Sequence, residues 1–136
     1  MADIRQVTDA FAVAAQLSEE DVAAIAAAGF KTILCNRPDG EGGPMQPKSS
    51  AIRAKAESLG LTFVALPFSG APTPEIVSQM AHVLNDAPQP VLAYCRTGTR
   101  SITAWALTHA GQGAGEEIVD AAAGAGYDLS NIERLL

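Results

Sequence analysis

Short apolar segments alternate along this chain with segments whose apolar residues have helical spacing. Four of them have the length and composition of β-strands, and they cover residues 11–15, 31–35, 61–66 and 90–94. Strands that alternate with helices form βαβ units, which bury a mostly parallel sheet between helices. The sequence therefore predicts a three-layer α/β fold with helices on both faces of a central sheet.

Capping residues mark where the intervening helices begin and end. Ser18 precedes three acidic residues and predicts a helix that ends at Gly29, and Thr73 before a proline predicts another. The remaining helices are predicted over residues 47–59 and 101–110, with two further helical segments before the C-terminus. At 136 residues the chain has the usual size of one domain, so we predict a single domain over residues 1–136.

The topology also predicts where a binding site lies. Right-handed crossovers place every strand-to-helix loop at the carboxyl edge of the sheet, where ligands bind in open α/β folds. The loops that begin at Asn36, Pro67 and Cys95 meet at that edge, so a site around Cys95 could draw on the other two loops. Their available carboxyl and hydroxyl side chains include Asp39, Glu41 and Ser69.

The last of these loops combines a thiol with groups that bind anions. Cys95 follows an apolar strand, a glycine lies three positions later, and Arg100 opens the next helix. A helix N-terminus, loop N–H groups and a guanidinium favour the nucleophilic thiolate and bind an oxyanion beside it. We therefore predict that Cys95 and Arg100 are catalytic. The predicted anion-binding loop comprises Arg96, Thr97, Gly98, Thr99 and Ser101.

The sequence leaves open what the polar side chains of this loop do. The threonines cap the helix or face solvent, and Ser101 either donates a hydrogen bond to the thiolate or simply lies in the first helical turn. Arg96 either steers substrate or bonds to the surroundings of the loop. Cys35 lies in an apolar strand, where a cysteine is usually a small buried hydrophobe. If Cys35 lies close to Cys95, it could instead act as a resolving thiol.

The charge of the chain restricts its partners. A net charge of −6 without a basic stripe argues against nucleic acid and anionic lipid, and no apolar stretch is long enough to cross a bilayer. The N-terminal residues lack a secretory pattern and two cysteines are too few for a disulfide scaffold, so we expect a cytoplasmic protein. The spacing of histidine, cysteine and carboxylate residues predicts no metal site, and no cofactor is predicted.

Neither histidine is predicted to serve Cys95 as a base. His82 is predicted on the solvent face of its helix. His109 ends the helix that Arg100 opens, about 12–15 Å below Cys95 at the rise of an α-helix, and shares an apolar stripe with Trp105. Without a histidine in reach, a Cys-His hydrolase of the protease type is not expected.

The segment from Cys95 to Ser101, with the strand before it and the upstream residues 36–40, resembles the phosphatase-like domain of the bacterial β-lactamase-hydrolase-like family. The resemblance extends over nearly the whole chain. It implies a fold similar to that of dual-specificity tyrosine phosphatases, with Cys95 as the nucleophile and Arg100 as the anion-binding residue. Related family members are fused to persulfide dioxygenases, which implies such an enzyme as a possible partner.

The cysteine loop differs in length from that of the phosphatases it resembles. Those enzymes have five residues between cysteine and arginine, whereas four separate Cys95 from Arg100. A four-residue spacing resembles the rhodanese loop, which holds a cysteine persulfide. Residues 67–71 also lack the aspartate that a phosphatase uses as its general acid. Asp39 and Glu41 are the candidate substitutes, although a Pro-Asp-Gly sequence is more typical of a turn.

These features favour a rhodanese-type sulfurtransferase that forms a Cys95 persulfide from thiosulfate or a low-molecular-weight persulfide. The alternative is a tyrosine-phosphatase-like hydrolase that cleaves a phosphate ester through a Cys95 phosphocysteine, as the fold and the family description imply. A third hypothesis is an inert anion-binding or interaction module. All three place a small anion at the loop of Cys95.

Overall fold

A five-stranded sheet forms the centre of the computed structural model, which describes residues 2–136. The strands are β1 (Arg5–Thr8), β2 (Phe11–Ala14), β3 (Thr32–Cys35), β4 (Thr62–Ala65) and β5 (Val91–Tyr94). Their order in the sheet is β1-β2-β5-β3-β4, and every pairing is parallel except that of β1 with β2. The predicted mostly parallel sheet is therefore confirmed.

Strand β1 differs from the prediction, which placed the first strand at residue 11. Most of its residues are exposed, and it returns to β2 through a turn at residues 9–10. An edge strand needs a hydrogen-bonding partner on one side only and can have two solvated faces. Its sequence, Arg-Gln-Val-Thr, therefore carries no apolar run that would identify it.

The helices follow the predicted order. They are α1 (Glu19–Ala27), α2 (Ser49–Ser58), α3 (Pro74–Asp86), α4 (Thr99–Leu107) and α5 (Gly115–Gly124), and a 3-10 helix covers Ser130–Leu135. Helix α4 begins at Thr99, two residues before its predicted start, because Gly98 forms the N-cap. Within residues 2–136, no helix is long and apolar enough to cross a membrane.

The predicted caps of α1 and α3 are present. The Ser18 hydroxyl accepts a hydrogen bond from the Asp21 N–H at 3.2 Å, and the Asp21 carboxylate accepts one from the Ser18 N–H at 2.8 Å. At α3, the Thr73 hydroxyl accepts from the Ile76 N–H at 3.2 Å. Each cap satisfies N–H groups that have no partner within the helix, so these two helix starts could be predicted from local sequence.

Helices cover both faces of the sheet, which confirms the three-layer arrangement. Because side chains alternate along a strand, neighbouring residues of β5 enter different cores. Val91 and Ala93 pack with Met80 of α3, and with α4 and α5, whereas Leu92 and Tyr94 pack with Ile25 of α1 and with α2. Strand β5 is therefore buried on both faces.

The carboxyl ends of β3, β4 and β5 meet at one edge of the sheet. Cys35, the last residue of β3, lies opposite Ala65 on one side and Tyr94 on the other. The three loops that follow are tied together by main-chain hydrogen bonds: the Asn36 N–H donates to the Tyr94 carbonyl at 2.9 Å, and the Phe68 N–H donates to the Asn36 carbonyl at 3.2 Å. The predicted convergence of these loops is present in the fold.

Candidate active site

Cys95 lies at the first position after β5 and has no exposed surface. Its N–H donates to the Ala14 carbonyl of the neighbouring strand β2 at 3.4 Å, which anchors the start of the loop to the sheet. Its sulfur accepts a hydrogen bond from the Gly98 N–H at 3.1 Å. A main-chain donor directed at the sulfur stabilises negative charge there, as a nucleophilic thiolate requires.

Gly98 is the residue that turns the loop towards the sulfur. Its φ is +92°, in the left-handed region that side chains other than hydrogen disfavour. A Cβ at this position would also collide with the hydroxyl of Tyr127. Helix α4 starts at the next residue, so its N-terminal end, with its partial positive charge, lies at the cysteine loop.

Tyr127 holds the outer side of the loop and was not among the predicted site residues. Its hydroxyl donates to the Thr97 carbonyl at 2.8 Å. Burial raises the pKa of Tyr127, so the hydroxyl stays protonated as a donor. The contact joins positions 30 residues apart, beyond α5, and no local pattern in the sequence announces it.

Arg100 extends from the first turn of α4 across the edge of the sheet. Its Nη1 donates to the Phe68 carbonyl at 2.9 Å, and its two terminal nitrogens donate to the two carboxylate oxygens of Glu41 at 2.8 and 2.6 Å. The hydrogen bond to Glu41 is the main cause that raises the pKa of Arg100, and the nearby Cys95 adds to it. The structure therefore brings Arg100, Cys95 and Glu41 together at one place.

Glu41 is shared between two arginines. Besides its paired hydrogen bonds with Arg100, it accepts one from the Nε of Arg37 at 3.0 Å. Arg37 is almost fully buried and also donates to the Gln16 side chain at 3.1 Å. The hydrogen bond from Arg100, with that from Arg37, lowers the pKa of Glu41, so the carboxylate is ionised at neutral pH. Arg37 was not predicted to belong to the site, although its place just after β3 was a usable signal.

Asp39, the other predicted carboxyl candidate, is directed at a helix. It accepts hydrogen bonds from the Ser49 N–H at 2.8 Å and the Ser49 hydroxyl at 2.7 Å, where Lys48 provides no side-chain cap for α2. The main-chain hydrogen bond from Ser49 lowers the pKa of Asp39. Asp39 therefore caps α2 in this arrangement. Ser69, which was predicted at the same edge as Asp39 and Glu41, lies exposed in the loop after β4.

Ser101 is fully buried and connects two loops. Its hydroxyl donates to the Asn36 side-chain oxygen at 2.8 Å, and the Asn36 amide donates to the Leu66 carbonyl at 3.0 Å. Neither of the two roles considered for Ser101 included this partner. Asn36 was likewise missed as a site residue, although a polar residue at the end of a buried strand was a signal for it.

The other polar residues of the cysteine loop face outwards. The Thr97 hydroxyl donates to the Thr99 hydroxyl at 3.1 Å, and both residues are exposed. The Arg96 side chain is exposed, while its carbonyl accepts a hydrogen bond from the Gln16 N–H at 3.4 Å. Their predicted part in binding an anion stays a prediction.

The second cysteine lies in the core beneath the edge. Cys35 is 2 % exposed, packs with the apolar side chains of α1 and α2, and donates through its thiol to the Arg37 carbonyl at 3.3 Å. Burial raises the pKa of the Cys35 thiol, although a hydrogen bond with Tyr94 acts in the opposite direction. These contacts agree with a packing role, and the role of resolving thiol stays a prediction.

The two histidines lie where the sequence placed them. His82 is exposed on α3. His109 packs edge-on against Trp105, with ring centroids 5.3 Å apart, and its ring contacts the side chain of Gln112.

The site at Cys95 consists of a buried thiol, a main-chain donor and a guanidinium, which together can bind an anion and attack it.

Comparisons with known proteins agree with this architecture. The family model described as "Beta-lactamase hydrolase-like protein, phosphatase-like domain" matches residues 3–114. A Beta-lactamase hydrolase-like protein of Agrobacterium fabrum is 31 % identical over 134 residues, which cover 96 % of this chain and 31 % of that protein. The chain thus spans about a third of the length of this curated relative.

Solved structures show the same fold. A candidate phosphatase from Neisseria meningitidis is 35 % identical, with a TM-score of 0.86 over 96 % of this chain and 94 % of that one. Pseudomonas aeruginosa TpbA in complex with phosphotyrosine has a TM-score of 0.63 at 16 % identity, over 91 % of this chain and 75 % of that one. These similarities confirm the predicted dual-specificity-phosphatase-like fold.

Proposed function

The chain belongs to the family of phosphatase-like domains of β-lactamase hydrolase-like proteins, and we propose that it uses the phosphatase fold for cysteine-dependent sulfur transfer. In this proposal Cys95 takes the outer sulfur of a small anionic donor and carries it as a persulfide. The observation that carries the proposal is the short loop: only four residues separate Cys95 from Arg100, and within them the Gly98 N–H is directed at the sulfur at 3.1 Å.

The transfer needs two displacements at sulfur. The Cys95 thiolate attacks the outer sulfur of thiosulfate, so a bond forms between the two sulfurs while the donor's own sulfur–sulfur bond breaks. Sulfite leaves with the electron pair. A thiol or cyanide then attacks the outer sulfur of the Cys95 persulfide, and the Cys95 thiolate is regenerated. The Gly98 N–H and the Arg100 guanidinium stabilise the negative charge in both steps.

The state of the two nearby carboxylates supports this chemistry. Glu41 is ionised because two arginines bind it, and Asp39 is bonded to the start of α2. Neither carboxylate therefore holds a proton for a leaving oxygen in this arrangement. Sulfite and thiolates leave as stable anions, whereas an alcohol leaving from a phosphate ester needs a proton. Sulfur transfer thus needs no proton from either carboxylate.

Phosphate-ester hydrolysis is the second candidate, and the comparisons favour it. A relative with 35 % identity is described as a candidate phosphatase, and a protein of the same fold binds phosphotyrosine. In that reaction Cys95 attacks phosphorus, the alcohol leaves with a proton, and water hydrolyses the phosphocysteine. Glu41 would have to supply the proton after it leaves Arg100.

Parallel turnover assays on one preparation separate the two candidates. Thiosulfate with cyanide reports sulfur transfer through thiocyanate, and p-nitrophenyl phosphate reports phosphatase activity. We expect the first activity, its loss in Cys95→Ser, and its retention in Cys35→Ser. Phosphatase turnover that depends on Cys95, without thiocyanate formation, would make phosphate-ester hydrolysis the first candidate and sulfur transfer the second. If neither activity is found, and iodoacetamide labels Cys95 no faster than Cys35, the inert anion-binding module is supported.

The proposed reaction also has requirements for its compartment and for a partner protein. A reducing compartment such as the cytoplasm would keep the Cys95 thiol available. Because this chain spans about a third of its Agrobacterium relative, a persulfide dioxygenase is proposed as a separate or fused partner that consumes the transferred sulfur. Co-purification of a dioxygenase activity with the tagged chain would support that partnership.

A further inference from the structure

The guanidinium that the proposed reaction needs is already occupied. Both terminal nitrogens of Arg100 donate to Glu41, at 2.8 and 2.6 Å, in the paired geometry with which arginine binds planar oxyanions. Nη1 of Arg100 also donates to the Phe68 carbonyl at 2.9 Å, which fixes the orientation of the side chain. A substrate anion that binds this face of Arg100 with two oxygens has to take the place of the Glu41 carboxylate.

We propose that Glu41 is a specificity-determining residue that competes with the anionic group of the substrate for Arg100. The inference rests on the proposed function only in that an anionic substrate reaches Cys95. It assigns Glu41 a role other than that of a general acid. Ligands that engage Arg100 with a strong oxyanion exchange with Glu41, and neutral ligands leave the ion pair intact.

A second arginine already contacts the carboxylate that would be displaced. Glu41 Oε1 also accepts from the Nε of Arg37 at 3.0 Å, and Arg37 is held in place by the Gln16 side chain at 3.1 Å. When a ligand takes Arg100, Glu41 keeps this buried arginine as a partner. The exchange therefore costs one pair of hydrogen bonds and leaves no unpaired carboxylate.

The local sequence suits a side chain that moves. Glu41 lies between Gly40 and Gly42, and its side chain retains about a quarter of its exposure to solvent. Position 42 has no room for a side chain, because a Cβ there would approach the Arg37 guanidinium to 2.7 Å. The loop thus holds Arg37 closely while Glu41 stays partly solvated at the entrance to Arg100.

The burial of Cys95 gives the competition a consequence. The thiol has no exposed surface, so a reagent reaches it only after a neighbouring group moves. Release of Arg100 from Glu41 breaks one of the side-chain links between the loop after β3 and the cysteine loop, while the buried hydrogen bond from Ser101 to Asn36 remains. Anion binding and access to the sulfur are then coupled through one ion pair.

Alkylation of Cys95 with a charged and a neutral reagent tests this directly. Iodoacetate carries a carboxylate that can bind Arg100, and iodoacetamide does not. Each forms a bond from the Cys95 sulfur to carbon and releases iodide, so no leaving oxygen needs a proton and a general-acid role of Glu41 cannot influence the rates. The measurement is the ratio of the iodoacetate rate to the iodoacetamide rate at Cys95, read by peptide mass spectrometry.

We expect Glu41→Gln to raise this ratio by about threefold to tenfold, as removal of a partly solvated, charge-assisted competitor implies. Glu57→Gln removes the same charge from the exposed last turn of α2, away from the site, and should leave the ratio unchanged. Thermal unfolding checks that both variants are folded.

A ratio that does not rise would overturn the inference. A lower ratio in Glu41→Gln would mean that Glu41 orients Arg100 for the anion instead of competing with it, and two unaltered rates would mean that Glu41 has no influence on the anion. Equal acceleration of both reagents would make Glu41 a steric cover without charge selectivity. Failure of the proposed function is recognised separately, because the native protein would then form no thiocyanate from thiosulfate and cyanide, whatever the ratio of the two alkylation rates.

Discussion

Replacing Gly98 with alanine tests how the cysteine loop is held in shape. Gly98 has a φ of +92°, a left-handed conformation that costs an L-residue about 1–2 kcal/mol. The added methyl group would also displace the Tyr127 hydroxyl from the Thr97 carbonyl, to which it donates at 2.8 Å. A hydrogen bond of this kind contributes about 1 kcal/mol. The two effects are separable because only the second involves Tyr127.

We expect Gly98→Ala to lower the free energy of unfolding by about 2–3 kcal/mol. Gly111→Ala is the matched control, because Gly111 also has a positive φ of +80° but no described atom lies within 4 Å of its Cβ position. That control should cost only the backbone strain of about 1–2 kcal/mol. The difference of about 1 kcal/mol corresponds to about 3–5 °C in melting temperature for a domain of this size.

Urea unfolding of the two variants measures the difference, and a Tyr127→Phe background identifies its cause. Without the tyrosine oxygen, the cost of Gly98→Ala should fall towards that of Gly111→Ala. Gly98→Ala should also slow the alkylation of Cys95, because the Gly98 N–H is displaced from the sulfur. If Gly98→Ala costs no more than Gly111→Ala, or if its cost is the same with and without the Tyr127 hydroxyl, the reasoning is refuted.

Three further predictions concern the groups around the cysteine loop. Because the hydrogen bond from Arg100 lowers the pKa of Glu41, the stabilisation from this contact is present above the ordinary glutamate pKa and is lost as the pH falls. Glu41→Gln should therefore melt below the native protein near pH 7, with the difference shrinking as the pH falls below the ordinary glutamate pKa of about 4.3 and disappearing below the lowered pKa of Glu41. Asp39→Ala should cost about 1 kcal/mol in urea unfolding through loss of the α2 cap, without slowing Cys95 alkylation. Ser101→Ala should cost about 1–3 kcal/mol, because the buried Asn36 oxygen loses its donor.

Each of these predictions has a contrary result. A melting difference for Glu41→Gln that does not shrink as the pH falls below the ordinary glutamate pKa would show that its origin is not the ionised carboxylate. Slower Cys95 alkylation in Asp39→Ala, at unchanged fold, would return Asp39 to the site. A Ser101→Ala variant as stable as the native protein would mean that Asn36 finds another donor.

The features predicted from sequence are those that local patterns determine. Apolar strands, the cap at Ser18 and the cap at Thr73 depend on residues a few positions apart, so the order of elements and the parallel sheet followed. The placement of Cys95 before a glycine and an arginine is likewise local. Edge strand β1 was not predicted, because a strand that forms hydrogen bonds with a neighbour on one side only needs no apolar run.

The features that were missed depend on contacts between distant parts of the chain. The hydrogen bond from Tyr127 to Thr97 spans α4 and α5, and the one from Ser101 to Asn36 joins two loops that only the sheet brings together. The parallel topology predicted that the loops meet, but side-chain partners depend on distances that the sequence does not specify. Glu41 was found by that topological argument, and its pairing with Arg100 was not.

The mass of the Cys95 peptide after incubation with thiosulfate tests the central claim most directly. Sulfur transfer predicts a gain of one sulfur atom on the peptide that contains Cys95, removed by dithiothreitol and absent from the peptide that contains Cys35. Oxidation to a sulfinic acid adds nearly the same mass but resists dithiothreitol. An unmodified Cys95 in thiosulfate, together with a phosphoryl group trapped on Cys95 from an aryl phosphate, would contradict the account.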